Sequence, residues 1–232
     1  MLIWLVLIPL IAAALIGLCK APARPTALLS ASLTLALGIW ALVSFDGCSS
    51  CWSRFEGMDL QLTLAPALSK VMLLLTILVT FATVLGTNPP QGGEASWYNS
   101  ALLISAGATG AFLSDNIISF FAFHELALIP TFVMIGLYGR GDRRTTAWRA
   151  TLYLGLASMV LLAALLMIGT QAGFTFSGLK DFMASGRELA HAELIGALLI
   201  AGFGTLISLF PFHSWAAPAY ASAPAPVAMM HA

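Results

Sequence analysis

Two adjacent ionisable residues, His124 and Glu125, sit inside the apolar stretch 119–139, SFFAFHELALIPTFVMIGLYG. No Asp, Glu, Lys or Arg other than Glu125 lies between Asp115 and Arg140. On a helix beginning near Ile117, Glu125 stands roughly 13 Å from one end and about 20 Å from the other. That places it well within a hydrocarbon core of ~30 Å. An ionisable group at such depth costs on the order of 3 kcal/mol and by default marks a route for ions or protons. Low dielectric disfavours the charged forms of carboxyl and imidazole alike, which narrows the gap between their proton affinities. Adjacent helical positions point ~100° apart, so one of the pair can face the bundle interior while the other meets a neighbouring helix. The chemistry in prospect is proton transfer.

A second constellation lies in 202–232, GFGTLISLFPFHSWAAPAYASAPAPVAMMHA. Here a charge-free helix runs into Pro211, and His213 follows at once. Proline removes a backbone hydrogen bond and frees carbonyls near Ile207. Broken helices are tolerated in membranes where they line a cavity or are packed in protein, and transporters place ion sites at such breaks. The other reading is a helix that ends at Pro211, with His213 and Trp215 as interfacial anchors. A third feature, Cys48-Ser49-Ser50-Cys51, is a lone C-x-x-C with no second pair, which is weak evidence for a metal and leaves a local disulfide or two free thiols open. No phosphate-binding loop, nucleophile elbow or haem motif accompanies these groups, and no metal ligand set is expected.

The elements that must position these residues are long apolar runs. Hydrophobic residues make up 59% of the 232 and charged residues 9%. A soluble domain carries about 25% charge, so the chain reads as an all-α polytopic membrane bundle. Runs of spanning length cover about 2–18, 27–45, 67–86, 99–114, 117–138, 150–170 and 194–210, and an eighth begins near Pro224. The first run has no basic residue before it and so reads as a retained helix, not a signal peptide. Lys20 and Arg24 fall in the first connection and Arg140, Arg143, Arg144 and Arg149 in the fifth. Both fall on one side if every run spans, which makes that side cytoplasmic and the N-terminus outside. A formal net charge of zero argues against a nucleic-acid partner. The chain stops inside an apolar run barely begun, and it is read as the N-terminal piece of a longer protein.

Two segments carry a resemblance to a known family. FHELALIPTFVMIGLYG (123–139) resembles the fifth helix of the antiporter-like subunits of respiratory complex I, the subunit M or chain-4 type. FPFHSWAAPAYASAPAPV (210–227) resembles the segment that follows the broken seventh helix of the same subunits. The resemblance implies an antiporter-like fold built from two inverted five-helix repeats. Residues 1–96 would hold transmembrane helices 1–3, and 97–232 would hold the first repeat, helices 4–8, cut in helix 8. Glu125 matches the family's essential helix-5 glutamate, His213 its histidine after the break, and Pro211 the break itself. The Glu125 side chain is expected to point into the bundle, toward the broken helix. The family's lysine five residues before that proline is Leu206 here, and Ala219 follows Pro218 where Asp is common. The missing lysine leaves part of its role to His213, to His124 or to a residue further along. The implied function is proton translocation within an NADH:quinone oxidoreductase of the cell (inner) membrane, with other membrane subunits and the lipid bilayer as partners. This chain would hold no redox cofactor; NADH, FMN, iron–sulfur clusters and quinone would belong to partner subunits. The alternatives are an Mrp-type cation/proton antiporter subunit and a transport-dead structural subunit, to which Leu206 adds some weight.

Overall fold

With no water to satisfy them, backbone groups in a bilayer must bond within their own segment, and each apolar run accordingly forms a helix. The structure, a computed structural model, describes residues 1–44, 49–55, 58–64, 66–90 and 92–231. In chain order the elements are α1 (Ile3–Gly17), α2 (Ala23–Ser44), β1 (Ser49–Phe55), β2 (Met58–Thr63), α3 (Ala67–Gly86), α4 (Glu94–Leu113) and α5 (Ile117–Tyr138). There follow α6 (Arg143–Ala172), α7 (Phe176–Ala184), α8 (Ala192–Leu206), a 3-10 turn (Phe212–Trp215), α9 (Ala216–Ser222) and α10 (Ala225–His231). Among the described residues the fold is helical apart from one antiparallel hairpin, β1–β2, which occupies what the sequence reading treated as a plain connection. The short α7 fills another. The choice between a Cys48–Cys51 disulfide and two free thiols rests on Cys48, which lies outside the described residues.

Among the described residues, α2, α3, α5 and α6 have the length and hydropathy to cross a membrane, while α1 and α8 are apolar but only 15 residues each. The most enclosed helix is α4. It lies against α1, α2, α3 and α5, and it buries Trp97, Tyr98, Leu102, Gly107, Thr109 and Leu113. Helices around it turn large apolar side chains outward, Leu75, Leu78, Ile129 and Leu156 among them. An apolar exterior around a core that includes buried Ser and Thr is the distribution a lipid solvent favours.

The chain shuttles between two ends. At one, the Tyr98 hydroxyl donates to the Thr87 carbonyl (3.1 Å), and the Tyr138 hydroxyl donates to Gly93 (2.6 Å). Arg24 acts electrostatically on Tyr98, and the rings of Trp97 and Tyr138 meet edge to face at 4.8 Å. The connections holding Lys20, Arg24, Glu94 and Arg140 therefore share this basic end. At the other, the Asp115 N–H donates to the Gln61 carbonyl (3.0 Å) and Phe176 N–H to the Asp115 carbonyl (2.8 Å). The hairpin, the α4–α5 turn and the entry to α7 thus form one knot. Ser177 strengthens it by donating its hydroxyl to the Asp115 carboxylate at 2.7 Å.

Helix α5, which carries His124 and Glu125, is fixed at three places. Asn116 caps its start, accepting from Ile118 and Ser119 N–H at 2.8 and 3.2 Å. Gly139 ends it, and α4 presses on its middle through Gly107. A Cβ at Gly107 would stand 2.7 Å from the Phe123 carbonyl oxygen and 2.8 Å from the Ala127 nitrogen. Those are backbone atoms and cannot rotate away. Gly107→Ala is therefore expected to destabilise the protein by about 1–3 kcal/mol, as overpacking does. Gly155→Ala, where nothing lies within 4 Å, should be neutral or stabilising by about 0.5–1 kcal/mol. Thermal unfolding of the two variants in detergent checks the contrast.

Candidate functional site: a histidine-lined cavity beside a broken helix

The break in the seventh apolar run comes earlier than Pro211. Helix α8 stops at Leu206, and Ser208 turns the chain with φ of 61°. Ser208 N–H donates to Thr205 (3.1 Å) and Leu209 N–H to Gly204 (2.6 Å). This is the paired bonding of a Schellman end, in which the turning residue is usually glycine. Serine tolerates that backbone region at a cost of about 1–2 kcal/mol. Ser208→Gly is therefore expected to raise stability by about 1 kcal/mol, read as a higher Tm of the detergent-solubilised protein; an unchanged or lower Tm would show that the Ser208 side chain contributes more than its backbone costs. The freed Thr205 carbonyl also accepts the buried Trp215 indole N–H at 2.9 Å. Trp215, 2% exposed, is thus a clamp across the break and not an interfacial anchor.

Because the chain leaves the helix at Leu206, His213 falls on the outer side of the 3-10 turn. It is exposed, with its ring 5.6 Å from that of Phe210. The segment then runs through α9 to the basic end, where Ser222 exchanges two 2.8 Å bonds with Arg140: its hydroxyl donates to the Arg140 carbonyl, and Arg140 N–H donates to the Ser222 carbonyl. From there α10 folds back into the bundle against α3 and α5.

Between α3, α4, α5, α8 and α10 lies a cavity of about 560 Å³. His124 and His231 both line it, with Ser105, Thr80, Thr131 and Leu206 on its walls. His124 Nδ1 lies 3.3 Å from Glu125 Oε1, and the two side chains are 23% and 29% exposed. His124 is flanked by Phe120 and Phe121, each with its ring 6.4 Å away. His231 is held against Trp215 and Tyr220, with ring centroids 5.5 and 5.4 Å apart. Ser105 Oγ is buried and has no hydrogen-bond partner.

The expectation that Glu125 itself would point at the broken helix is therefore changed. Glu125 stands beside the cavity, and His124 is the member of the pair that faces it. Adjacent helical positions were expected not to face each other, yet the two side chains meet at 3.3 Å; Pro211 and His213 are not brought to them. His231 was missed as a site residue. The signal available was an imidazole in an otherwise apolar run, and its place in the wall of the cavity that His124 lines was unreadable because it depends on α10 folding back against α3 and α5. Chemically, an imidazole bonded to a carboxylate through Nδ1 keeps Nε2 for exchange with whatever fills the cavity, and the second imidazole supplies a further proton site.

Comparisons with known proteins agree with this architecture. NAD(P)H-quinone oxidoreductase chain 4 2 of Microcystis aeruginosa is 31% identical over 169 residues, covering 70% of this chain and 30% of that protein. In respiratory complex I from Thermus thermophilus with bound NADH, one chain superposes with a TM-score of 0.84 at 25% identity, covering 98% of this chain and 49% of that one. A chain of the Mrp complex from Dietzia sp. shares the fold with a TM-score of 0.81 at 21% identity, covering 99% of this chain and 26% of that one. The chain thus spans less than half the length of each of these relatives. Residues 114–232, just over half of the chain, match the model of the NADH:quinone oxidoreductase/Mrp antiporter, TM family. The chain belongs to that transmembrane family.

Proposed function

We propose that the chain is a proton-translocating subunit of an NADH–quinone oxidoreductase in the cell (inner) membrane, and that His124, Glu125 and His231 carry the proton. The observation that carries the reading is the cavity, where His124 and His231 converge beside the end of α8 with Glu125 bonded to His124. A proton taken by Nε2 of His124 leaves the ring able to pass its Nδ1 proton to the Glu125 carboxylate, and the reverse sequence resets it. His231 exchanges with the cavity at the other wall. Where the resembling subunits place a lysine, Leu206 lines the same cavity, so the cationic role falls to the two imidazoles. His213 on the outer side of the break is less suited to it.

In this reading the chain crosses the membrane seven times, with the N-terminus outside and Arg140, Arg143 and Arg144 in the cytoplasm. The meeting of Arg24 and Arg140 connections at one end of the bundle supports it. The seventh crossing is made in two pieces, α8 and then the 3-10 turn with α9. Residues 97–232 form the first antiporter-like repeat. Redox centres belong to partner subunits, and neighbouring membrane subunits cover Glu125.

The test is to purify the protein with its native partners, reconstitute them in vesicles and follow acidification alongside quinone reduction. NADH-driven acidification with flavin and iron–sulfur subunits present is expected. An assembly of membrane subunits alone that exchanges cations for protons would make the chain an Mrp-type antiporter subunit. Quinone reduction without any proton movement would reduce it to a structural role.

A further inference from the structure

On the lipid-facing side of α6, away from the histidine cavity, the break leaves a gap. Where α8 stops and the chain turns off toward Phe212, α6 loses its neighbour, and a groove of about 300 Å³ opens. Leu152, Leu156 and Val160 of α6 line one wall and Ala201, Thr205 and Phe212 the other. The Thr205 hydroxyl is spent on the Ala201 carbonyl at 2.7 Å, so the walls are apolar throughout. Leu152 and Leu156 are 59% and 69% exposed.

One end of this groove is charged. Arg149, Tyr153, Leu156 and Val160 follow one another at spacings of four, three and four residues, which is one face of a helix. The Tyr153 hydroxyl accepts from Ser214 Oγ at 3.0 Å, and the Arg149 guanidinium one turn earlier acts on it electrostatically. Its own O–H proton is left to donate. Exposed Trp148, the residue before Arg149, stands at the level of the basic end, as interfacial aromatics do. From Arg149 to Val160 the helix rises about 16 Å. One leaflet of a hydrocarbon core is ~15 Å deep.

We infer that this groove holds one acyl chain of an anionic phospholipid, whose phosphate sits on Arg149 with the Tyr153 and Ser214 hydroxyls. The charge at the mouth matches the headgroup, the walls match the chain, and the length matches a single leaflet measured from the basic end. Arg140, Arg143 and Arg144 at the same end add attraction for a negatively charged lipid over a zwitterionic one. The lipid fills the surface that the helix break exposes, and so supports the segment that carries Trp215. The inference rests on the membrane placement of the chain and not on proton transfer, so a lipid result and a pumping result can fail separately.

The experiment puts a photo-crosslinking phenylalanine analogue at Leu156 in the protein assembled with its native partners. The assembly is reconstituted in vesicles of equal parts dioleoylphosphatidylglycerol and dioleoylphosphatidylcholine. After irradiation, mass spectrometry reads the adducts. Phosphatidylglycerol adducts should exceed phosphatidylcholine adducts at least about fivefold, the preference one arginine near the surface supplies. Arg149→Gln should lower that ratio about fivefold, while Ala201→Phe, which fills the groove from α8, should remove both adducts. Equal adducts in the unsubstituted protein, an Arg149→Gln ratio that does not move, or crosslinking to a protein segment instead of lipid would each overturn the assignment.

Discussion

Glu125→Gln is expected to lower NADH-driven proton pumping by about a hundredfold, the scale at which a positioned proton-transfer group contributes, while leaving the assembled complex intact. Gln keeps the shape of the side chain and can still hydrogen-bond His124 Nδ1, which lies 3.3 Å from Glu125 Oε1. What it loses is the ability to take and release a proton. The substitution therefore separates a proton carrier from a structural hydrogen-bond partner. Glu125 is 29% exposed on this chain, at the boundary between the histidine cavity and the outer surface of the bundle. A carboxyl there can accept from His124 on one side and deliver to groups packed against α5 on the other. The measurement is ΔpH or membrane-potential formation in vesicles, beside the quinone reductase rate and the amount of assembled complex. An assembled Glu125→Gln complex that pumps at the unsubstituted rate would remove Glu125 from the proton path and leave it a structural role.

Much of the scaffold around Glu125 was readable from the sequence, and particular residues explain why. The bounds 67–86 and 117–138 coincide with α3 and α5 because each run is closed by strong local signals, Pro66 and Thr87 for one, Asn116 and Gly139 for the other. The end of α8 was not readable. The apolar pattern runs on through Leu209 and Phe210, and the turn that stops the helix is made by Ser208 in a conformation normally announced by glycine. Taking Pro211 as the stop shifted the register by five residues. That shift underlay both readings of the segment, His213 as an inward group at a break and His213 with Trp215 as interfacial anchors; in the structure His213 is exposed and Trp215 is buried. The hairpin had a period-two signal in Met58, Leu60, Leu62 and Leu64, and in the structure Leu62 and Leu64 are fully buried. A search for membrane runs passes over so short an alternation. His231 was beyond reach for another reason, since its position against Trp215 comes from a chain reversal at Ser222 and Arg140 that no local pattern encodes.

The two cavity histidines give the sharpest distinction between a relay and a set of independent polar contacts. His124→Phe and His231→Phe are each expected to cut pumping by at least about tenfold, and the double variant by no more than the worse single one. Phenylalanine conserves ring volume, so the contacts with Phe120 and Phe121 on one side and with Trp215 and Tyr220 on the other persist. What is removed is the proton sites and, for His124, the bond to Glu125. Groups that act in series lose their function together once any one is missing, and such effects are strongly non-additive. If the histidines served packing or solvation separately, their effects on rate or stability would add, because side chains without shared partners behave independently. Leu206 sharpens the expectation, since among the described cavity-lining residues His124 and His231 are the only ones able to carry positive charge. Pumping rates of the two single variants and the double, normalised to assembled complex and compared with their thermal unfolding temperatures, decide the matter. Additive losses that track falling Tm would show structural histidines, and near-normal pumping in the double variant would place the proton path elsewhere in the bundle.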